Sequence, residues 1–497
     1  MHFKAKEENF LWKKLRNYLK INTPFHKMDE DLAHFSIDQA RKLGASYAEA
    51  RLESTTANSL VMKNGAIEAS SFDHFGGIGI RFIVNKKLGF VSTNELSKNK
   101  IITILEKAIR ITKATKTMGE NISLSKERTE KARYEVKQKK KLADIGVEDK
   151  ISLLQKAEKA IQSTKVKVPS RYVVLSDTDT KEYFTNSDGS RIFAHVPKMN
   201  FYYFLTINAN NKTTQRYWVY GASGGWEQVE KWNIPKIFSE EVTSMNNILR
   251  KGIKTPQGIM PIVCGPQVSG IMAHESCGHP FEADRILGRE AAQAGESYVQ
   301  LAMKGKKMAS SIVSIADDPT IANSYGYFLY DNEGVKAKRK LLIKDGKVNE
   351  FLQNRETAFQ LKTKSNGSSR ASDFEKEPII RMSNTFMLPG DYKEEELFEG
   401  IKKGIYMKNF MEWNIDDKRL NQKYTGAEAY LIENGEISTP VISPILEVSS
   451  LKMYPAVDAM GNNLELHAGD CGKGEPMQGI PVTLGGPSIR LQGLRIK

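Results

Sequence analysis

His274-Glu275-Ser276-Cys277-Gly278-His279 sets two imidazoles five residues apart, with a carboxylate beside the first. Imidazole is a preferred ligand for zinc. A Glu next to such a ligand can sit near a water on the ion and take its proton. Together these are the parts of a hydrolytic metal site, and the chemistry they imply is that of a zinc peptidase. The chain holds eight His in 497 residues, so a chance H-E-x-x-x-H is expected only about 0.01 times. The plainer alternative is a helix end with two half-buried, hydrogen-bonded His residues.

The spacing constrains the backbone that must carry it. Residues four apart share one face of a helix. Five residues leave the two His roughly 140° apart at 3.6 residues per turn. A π-bulge or a break is needed before both reach one ion. Gly278 loosens the backbone there, and Pro280 disfavours helical geometry at His279. The sequence therefore predicts a helix starting near Pro266, running through Val268, Ile271, Met272 and His274, and distorting near Gly278.

A catalytic zinc usually takes a third protein ligand and keeps one position open. The candidates are Glu282, Cys277, His467, Cys471 or an acid far away in sequence. Cys277 lies between the two His and competes for the same narrow arc. Glu282, three residues past His279, suits either a ligand or a group orienting one. Cys471 stands in Gly469-Asp470-Cys471-Gly472-Lys473-Gly474, where the glycines suit a rigid loop presenting a thiolate. Spacing alone leaves Glu282 and Cys471 both open.

A chain of 497 residues can bury more than one core. Hydrophobic residues at 40% and charged residues at 27% are the mix of a water-soluble protein. No apolar run reaches the length of a membrane span. The stretch from Met1 to Pro24 is basic and weakly amphipathic and lacks an apolar signal core. The expected compartment is the cytoplasm, with no membrane partner. Cys264, Cys277 and Cys471 are an odd number in a long chain, which argues for reduced surroundings. The net charge of +14 is mostly scattered lysine, densest at Lys137, Lys139, Lys140 and Lys141. No nucleic-acid motif accompanies it, so that run reads as a solvated linker or helix end.

The pattern is α+β, with an N-terminal part holding an antiparallel sheet and a C-terminal part that is mainly strands after the motif. Four stretches are expected: an extension over 1–27, an α+β subdomain over 28–117, a second over 118–250 after a charged linker, and the catalytic domain over 251–497. Ala33, Ile37, Ala40 and Leu43 recur at helical spacing over Asp29 to Leu43. Tyr47 to Glu53 alternates as a strand, Asn64-Gly65 signals a hairpin, and Ile78 to Val84 with Leu88 to Thr93 reads as a strand pair. Ile101, Leu105, Ala108 and Ile109 give a helix. Met118 to Val147 is charged and poor in core residues. A helix near Ile151 to Ile161 precedes four strands, at Tyr172 to Ser176, Arg191 to His195, Met199 to Asn208 and Thr214 to Tyr220. Phe201, Tyr202, Tyr203 and Phe204 read as sheet packing. Ile259 to Cys264 is an apolar strand broken by Pro261, and hairpins follow at Asp345-Gly346 and Asn434-Gly435.

Several spaced motifs carry a resemblance from about Ala45 to the C-terminus. They are Asn64-Gly65 through Gly89-Phe90-Val91-Ser92-Thr93-Asn94, and His274-Glu275 to His279 with Glu282 and Asp284. Arg381-Met382-Ser383-Asn384-Thr385, Glu428 to Gly435 and Cys471-Gly472-Lys473 complete them. In these the chain resembles the TldD branch of the TldD/PmbA family, modulators of DNA gyrase that are zinc-dependent peptidases. The resemblance implies a mixed α/β N-terminal part with a curved sheet and a β-rich C-terminal domain bearing the metal, with Zn²⁺ on His274, His279 and Cys471 and Glu275 as general base. It also implies dimers, either homodimers or heterodimers with a PmbA-like subunit, that enclose the site and take unfolded peptides in extended form. Glu282 and Asp284 are candidates to orient a ligating His, or to pair with Arg285. Arg370 is a candidate for a peptide carboxylate, or a surface-loop arginine. Phe410 to Asn414 departs from the glycine-rich run expected in bacterial members. The PmbA branch lacks the zinc residues, so a binding subunit without catalysis is one alternative. A basic, topoisomerase-associated protein and a cysteine hydrolase using Cys277 or Cys471 are the others.

Overall fold

The computed structural model describes residues 28–115, 121–288 and 296–497. The expected extension over 1–27 and the boundary at 117/118 lie outside the described residues. The fold is α+β, as the pattern predicts, and is built on sheets of eight, ten and six strands.

The helix Glu30–Lys42 begins at Asp29, whose carboxylate accepts from the Leu32 amide at 3.1 Å. It lays Leu32, Ala33, Ile37 and Ala40 on the first sheet. The hairpin read at Asn64-Gly65 is far longer than its apolar ends suggest. Tyr47–Lys63 and Ala66–Val84 pair over their whole length, and both turn residues have positive φ. On its other side Tyr47–Lys63 pairs with Lys167–Asn186, and there hydroxyl pairs replace apolar alternation, with Thr55 3.0 Å from Thr180 and Ser59 2.9 Å from Ser176.

The charged stretch before Val147 supplies more than a crossing. Lys131–Glu135 joins the same sheet, parallel to Arg191–His195. Its side chains are exposed or half-buried throughout, so its sequence carries no core signal. In the lysine run, Lys140 pairs with Glu230 at 2.5 Å. The aromatic strand Lys198–Ala209 packs one face into the core. There Phe201 and Tyr203 meet Phe238 edge-on, at ring separations of 5.6 and 5.0 Å.

The other two sheets belong to the C-terminal part. The ten-stranded sheet begins at the edge strand Phe410–Ile415, followed by Asn421–Gly426. Gly258–Cys264 lies inside it, with a register shift beside Pro261. The six-stranded sheet ends at the edge strand Glu465–Lys473, paired to Gln478–Gly486. The helix Pro266–Ala273 leaves Gly258–Cys264 and packs on Gln478–Gly486. The contact is close: a Cβ on Gly270 would lie 3.0 Å from the Gly485 backbone. The expected hairpins at Asp345-Gly346 and Asn434-Gly435 are present, all four residues having positive φ.

Candidate metal centre

The motif distorts as its spacing requires. The α-helix ends at Ala273, His274–Gly278 forms one π-turn, and His279–Phe281 tightens into a 3₁₀ turn. The extra residue per turn swings His279 back beside His274, the rings standing 5.0 Å apart and nearly perpendicular. Gly278 is required by space: a Cβ there would sit 1.9 Å from the Met382 sulfur.

The third residue arrives from the far end of the chain. Cys471 lies on the strand Glu465–Lys473, opposite Ile480, and not in a loop as its glycines suggest. Arg381, fully buried, donates to the Cys471 carbonyl and at 2.9 Å to that of Gln478, which fixes the strand. The Cys471 Sγ is 3.3 Å from His279 Nε2. One ligand atom from each of His274, His279 and Cys471 falls within 4.8 Å of the other two. All three residues are buried, at 4, 3 and 4% exposure.

Their electrostatics suit a cation. Burial alone would raise the Cys471 thiol, but His279, Arg381 and His274 overcome it and hold it well below its usual range. Burial would lower His279, yet Cys471 and Glu282 raise it. His274 Nδ1 is buried without a hydrogen-bond partner among the described residues. Two imidazoles facing a thiolate make a donor set that fits zinc, which accepts N and S ligands tetrahedrally.

Glu282 stands behind His279. Its Oε2 is 3.2 Å from His279 Nδ1, 2.8 Å from Arg285 Nε and 3.2 Å from Lys473 Nζ. Burial would raise this carboxyl; Lys473, His279 and Arg285 hold it well below the carboxylate range. It both orients the ring and pairs with Arg285, so the two readings open in the sequence hold together. Asp284 accepts from Lys473 at 2.7 and 2.8 Å.

Other sequence candidates lie elsewhere. His467 is four residues up the Cys471 strand, roughly 13 Å away. It packs edge-on against Trp218 and pairs with Glu465. Cys277 is fully buried in the core, its thiol pushed well above normal by burial. Arg370 is neither a surface arginine nor a waiting carboxylate fork. It is 7% exposed and donates to the carbonyls of Met382 at 2.7 Å and Pro481 at 3.0 Å. Its guanidinium also lies 5.2 Å from the Phe328 ring centre.

Glu275 has partners of its own, separate from those of Glu282. Its Oε1 accepts from the Trp413 indole at 3.2 Å and its Oε2 from Arg419 at 2.6 Å. In the sequence the stretch holding Trp413 stands out only as a departure, and Arg419 does not stand out. Neither carries a motif signal; Arg419 follows Asp416-Asp417-Lys418, which looks like a solvated turn.

Comparison with known proteins agrees along almost the whole chain. Models of the PmbA/TldA metallopeptidase family match as domain 1 over residues 48–112, the central domain over 140–245 and the C-terminal domain over 257–497. A metalloprotease of Methanocaldococcus jannaschii is 30% identical over 451 residues, covering 89% of this chain and 95% of that protein. A zinc metalloprotease TldD homolog of Saccharolobus solfataricus is 25% identical over 462 residues, covering 93% and 98%. Among solved structures, TldE of Thermococcus kodakarensis superposes with a TM-score of 0.74 at 16% identity, covering 94% of this chain and 99% of that one. A Thermotoga maritima protein titled a modulator of a DNA gyrase gives 0.74 at 18% identity, covering 94% and 100%. The chain belongs to the TldD/PmbA family of metallopeptidases.

Proposed function

We propose that this chain is a zinc-dependent peptidase of unfolded or extended peptides, with Zn²⁺ held by His274, His279 and Cys471 and Glu275 as general base. The observation that carries the reading is the convergence of those three buried donors, from positions 274 to 471, within 4.8 Å. Zinc, when bound, supplies a Lewis acid that polarises the scissile carbonyl and makes water a nucleophile near neutral pH. The protein's own groups do the rest. Glu282 accepts from His279 Nδ1 and leaves Nε2 toward Cys471. Glu275 takes the proton of the attacking water and passes one to the leaving amine.

An extended substrate suits the surroundings. Cys471 and Trp413 lie on the edge strands of two different sheets, and a peptide can add to a sheet edge by strand pairing. We assign the chain to the cytoplasm and to a dimer, homomeric or with a PmbA-like subunit. Among the described residues, the strand Ala66–Val84 pairs on one side only before Ile78, and it exposes Ile67, Phe72 and Phe75 there. Such a face favours association.

Zinc stoichiometry and peptide cleavage, measured on one preparation, test the proposal. Glu275→Gln is expected to keep its zinc and lose cleavage; sustained turnover would remove Glu275 as base. Cys471→Ser is expected to lose zinc, and full metal content would point instead to Glu282.

A further inference from the structure

The turn between Phe410–Ile415 and Asn421–Gly426 holds Arg419 with φ +61°, a conformation that L residues other than Asn and Asp rarely adopt. Such a residue persists only where its surroundings over-determine it. Here they do. Asp416 ties the turn, its backbone carbonyl accepting from Arg419 N at 2.9 Å. Its carboxylate accepts from Leu420 N at 2.8 Å and from Asn421 N and Nδ2 at 3.1 and 2.7 Å. Ser450 Oγ donates to the Arg419 carbonyl at 3.1 Å, and its backbone amide to Leu420 O at 2.8 Å.

The same turn is wired to the π-turn of the motif by two routes. Ser450 Oγ accepts from Gln422 at 2.6 Å, and Gln422 in turn accepts from Ser276, the residue after Glu275. Tyr298 donates its amide to Lys418 O at 2.9 Å and its hydroxyl to Ser276 O at 2.6 Å. Ser276 and Ser450 are fully buried and Gln422 is 5% exposed. A buried polar network of this kind fixes one geometry. The geometry it fixes places Arg419 on Oε2 of Glu275 while Trp413, from the edge strand beside the turn, holds Oε1.

We infer that Arg419 is a positioning residue for Glu275, with Trp413 as its counterpart, and that the Asp416–Leu420 turn exists to aim it. The inference rests on the reading of Glu275 as base. One hydrogen bond on each oxygen locks the rotation of the carboxylate and leaves each oxygen a second lone pair for water. A side chain so held meets the reacting water without searching, which acts on the chemical step and not on peptide binding.

The test is steady-state peptide hydrolysis by the zinc-loaded full chain, with zinc content measured alongside. Arg419→Ala is expected to lower kcat about 10- to 100-fold with KM and zinc stoichiometry unchanged. Added ethylguanidinium is expected to restore part of that kcat in Arg419→Ala and none in Glu275→Gln. Trp413→Phe, which keeps the ring and loses one neutral donor, is expected to cost about fivefold. A lower melting temperature with an unchanged kcat would make Arg419 a structural ion pair and overturn the inference. If Arg419→Ala does not fold, Arg419→Met, which keeps the length and removes the donor, takes its place; wild-type kcat there would overturn the inference equally. Wild-type turnover by Glu275→Gln would instead remove the base itself, so the two failures are distinguishable.

Discussion

Glu282 at the metal centre and Glu53 in the eight-stranded sheet are both buried carboxylates, at 0 and 6% exposure, and their surroundings drive them in opposite directions. Glu282 meets Lys473, His279 and Arg285 and stays charged far below the usual range. Burial raises Glu53 from its ordinary 4.5 to about 7, against the pull of Arg51. It lies directly across from Glu182, which also counts against its charge. The metal centre therefore keeps its charges ready by surrounding them with opposite ones. The sheet instead tolerates an acid by keeping it protonated through much of the acidic range.

Glu282→Gln breaks that contrast with the largest expected effect. It leaves Lys473 and Arg285, at 3% exposure or less, with one anion fewer between them. Removing one partner of a buried ion network costs about 3–5 kcal/mol, read as a fall in the urea midpoint. Zinc affinity is expected to weaken about 10- to 100-fold, because the acceptor on His279 Nδ1 loses its negative charge. Competition with a chromophoric chelator measures that part. An unchanged midpoint would mean that Asp284 alone balances Lys473.

Glu53 predicts a pH dependence of the opposite kind. Its folded pKa of about 7 lies above its unfolded value near 4.5. Between those values the native state binds more protons than the unfolded chain, so stability falls as pH rises from about 4.5 to about 7. Below that window the group is protonated in both states; above it the penalty is constant. The shift corresponds to roughly 3 kcal/mol at about 1.36 kcal/mol per unit. Glu53→Gln is expected to flatten this part of the profile in thermal melts between pH 5 and 7 and to gain stability above it. An identical slope in the variant would place the titration on another group.

The same contrast explains what the sequence makes legible. The π-turn, the two His and the carboxylate between them follow from a six-residue motif, and Glu282 from a further three. These are local, and helical geometry alone constrains them. Spacing did not separate Glu282 from Cys471, because nothing local says which distant strand will run past the motif; the family resemblance supplied Cys471. Arg419 is 144 residues from Glu275 and reaches it through a left-handed turn with neither Gly nor Asn at that position. The polar middle of the long hairpin and the parallel edge strand Lys131–Glu135 were equally silent. Their stability comes from strand pairing rather than from an apolar pattern.

The smallest expected effect separates the two buried thiols nearest the chemistry. Cys277 lies two residues from Glu275, yet burial pushes its thiol well above normal and keeps it protonated. Cys471 is held well below normal by His279, Arg381 and His274. A thiol of the first kind packs as a small hydrophobe; a thiolate of the second kind binds metal. Cys277→Ala is therefore expected to lose about 1 kcal/mol for the sulfur it removes from the core. Zinc content and peptide turnover are expected to stay at wild-type levels, and native protein to resist iodoacetamide at this position. A variant that kept its zinc and fold but lost turnover would make Cys277 the nucleophile. Water would then no longer be the attacking group, and the opposed shifts of the two thiols would have to be read the other way round.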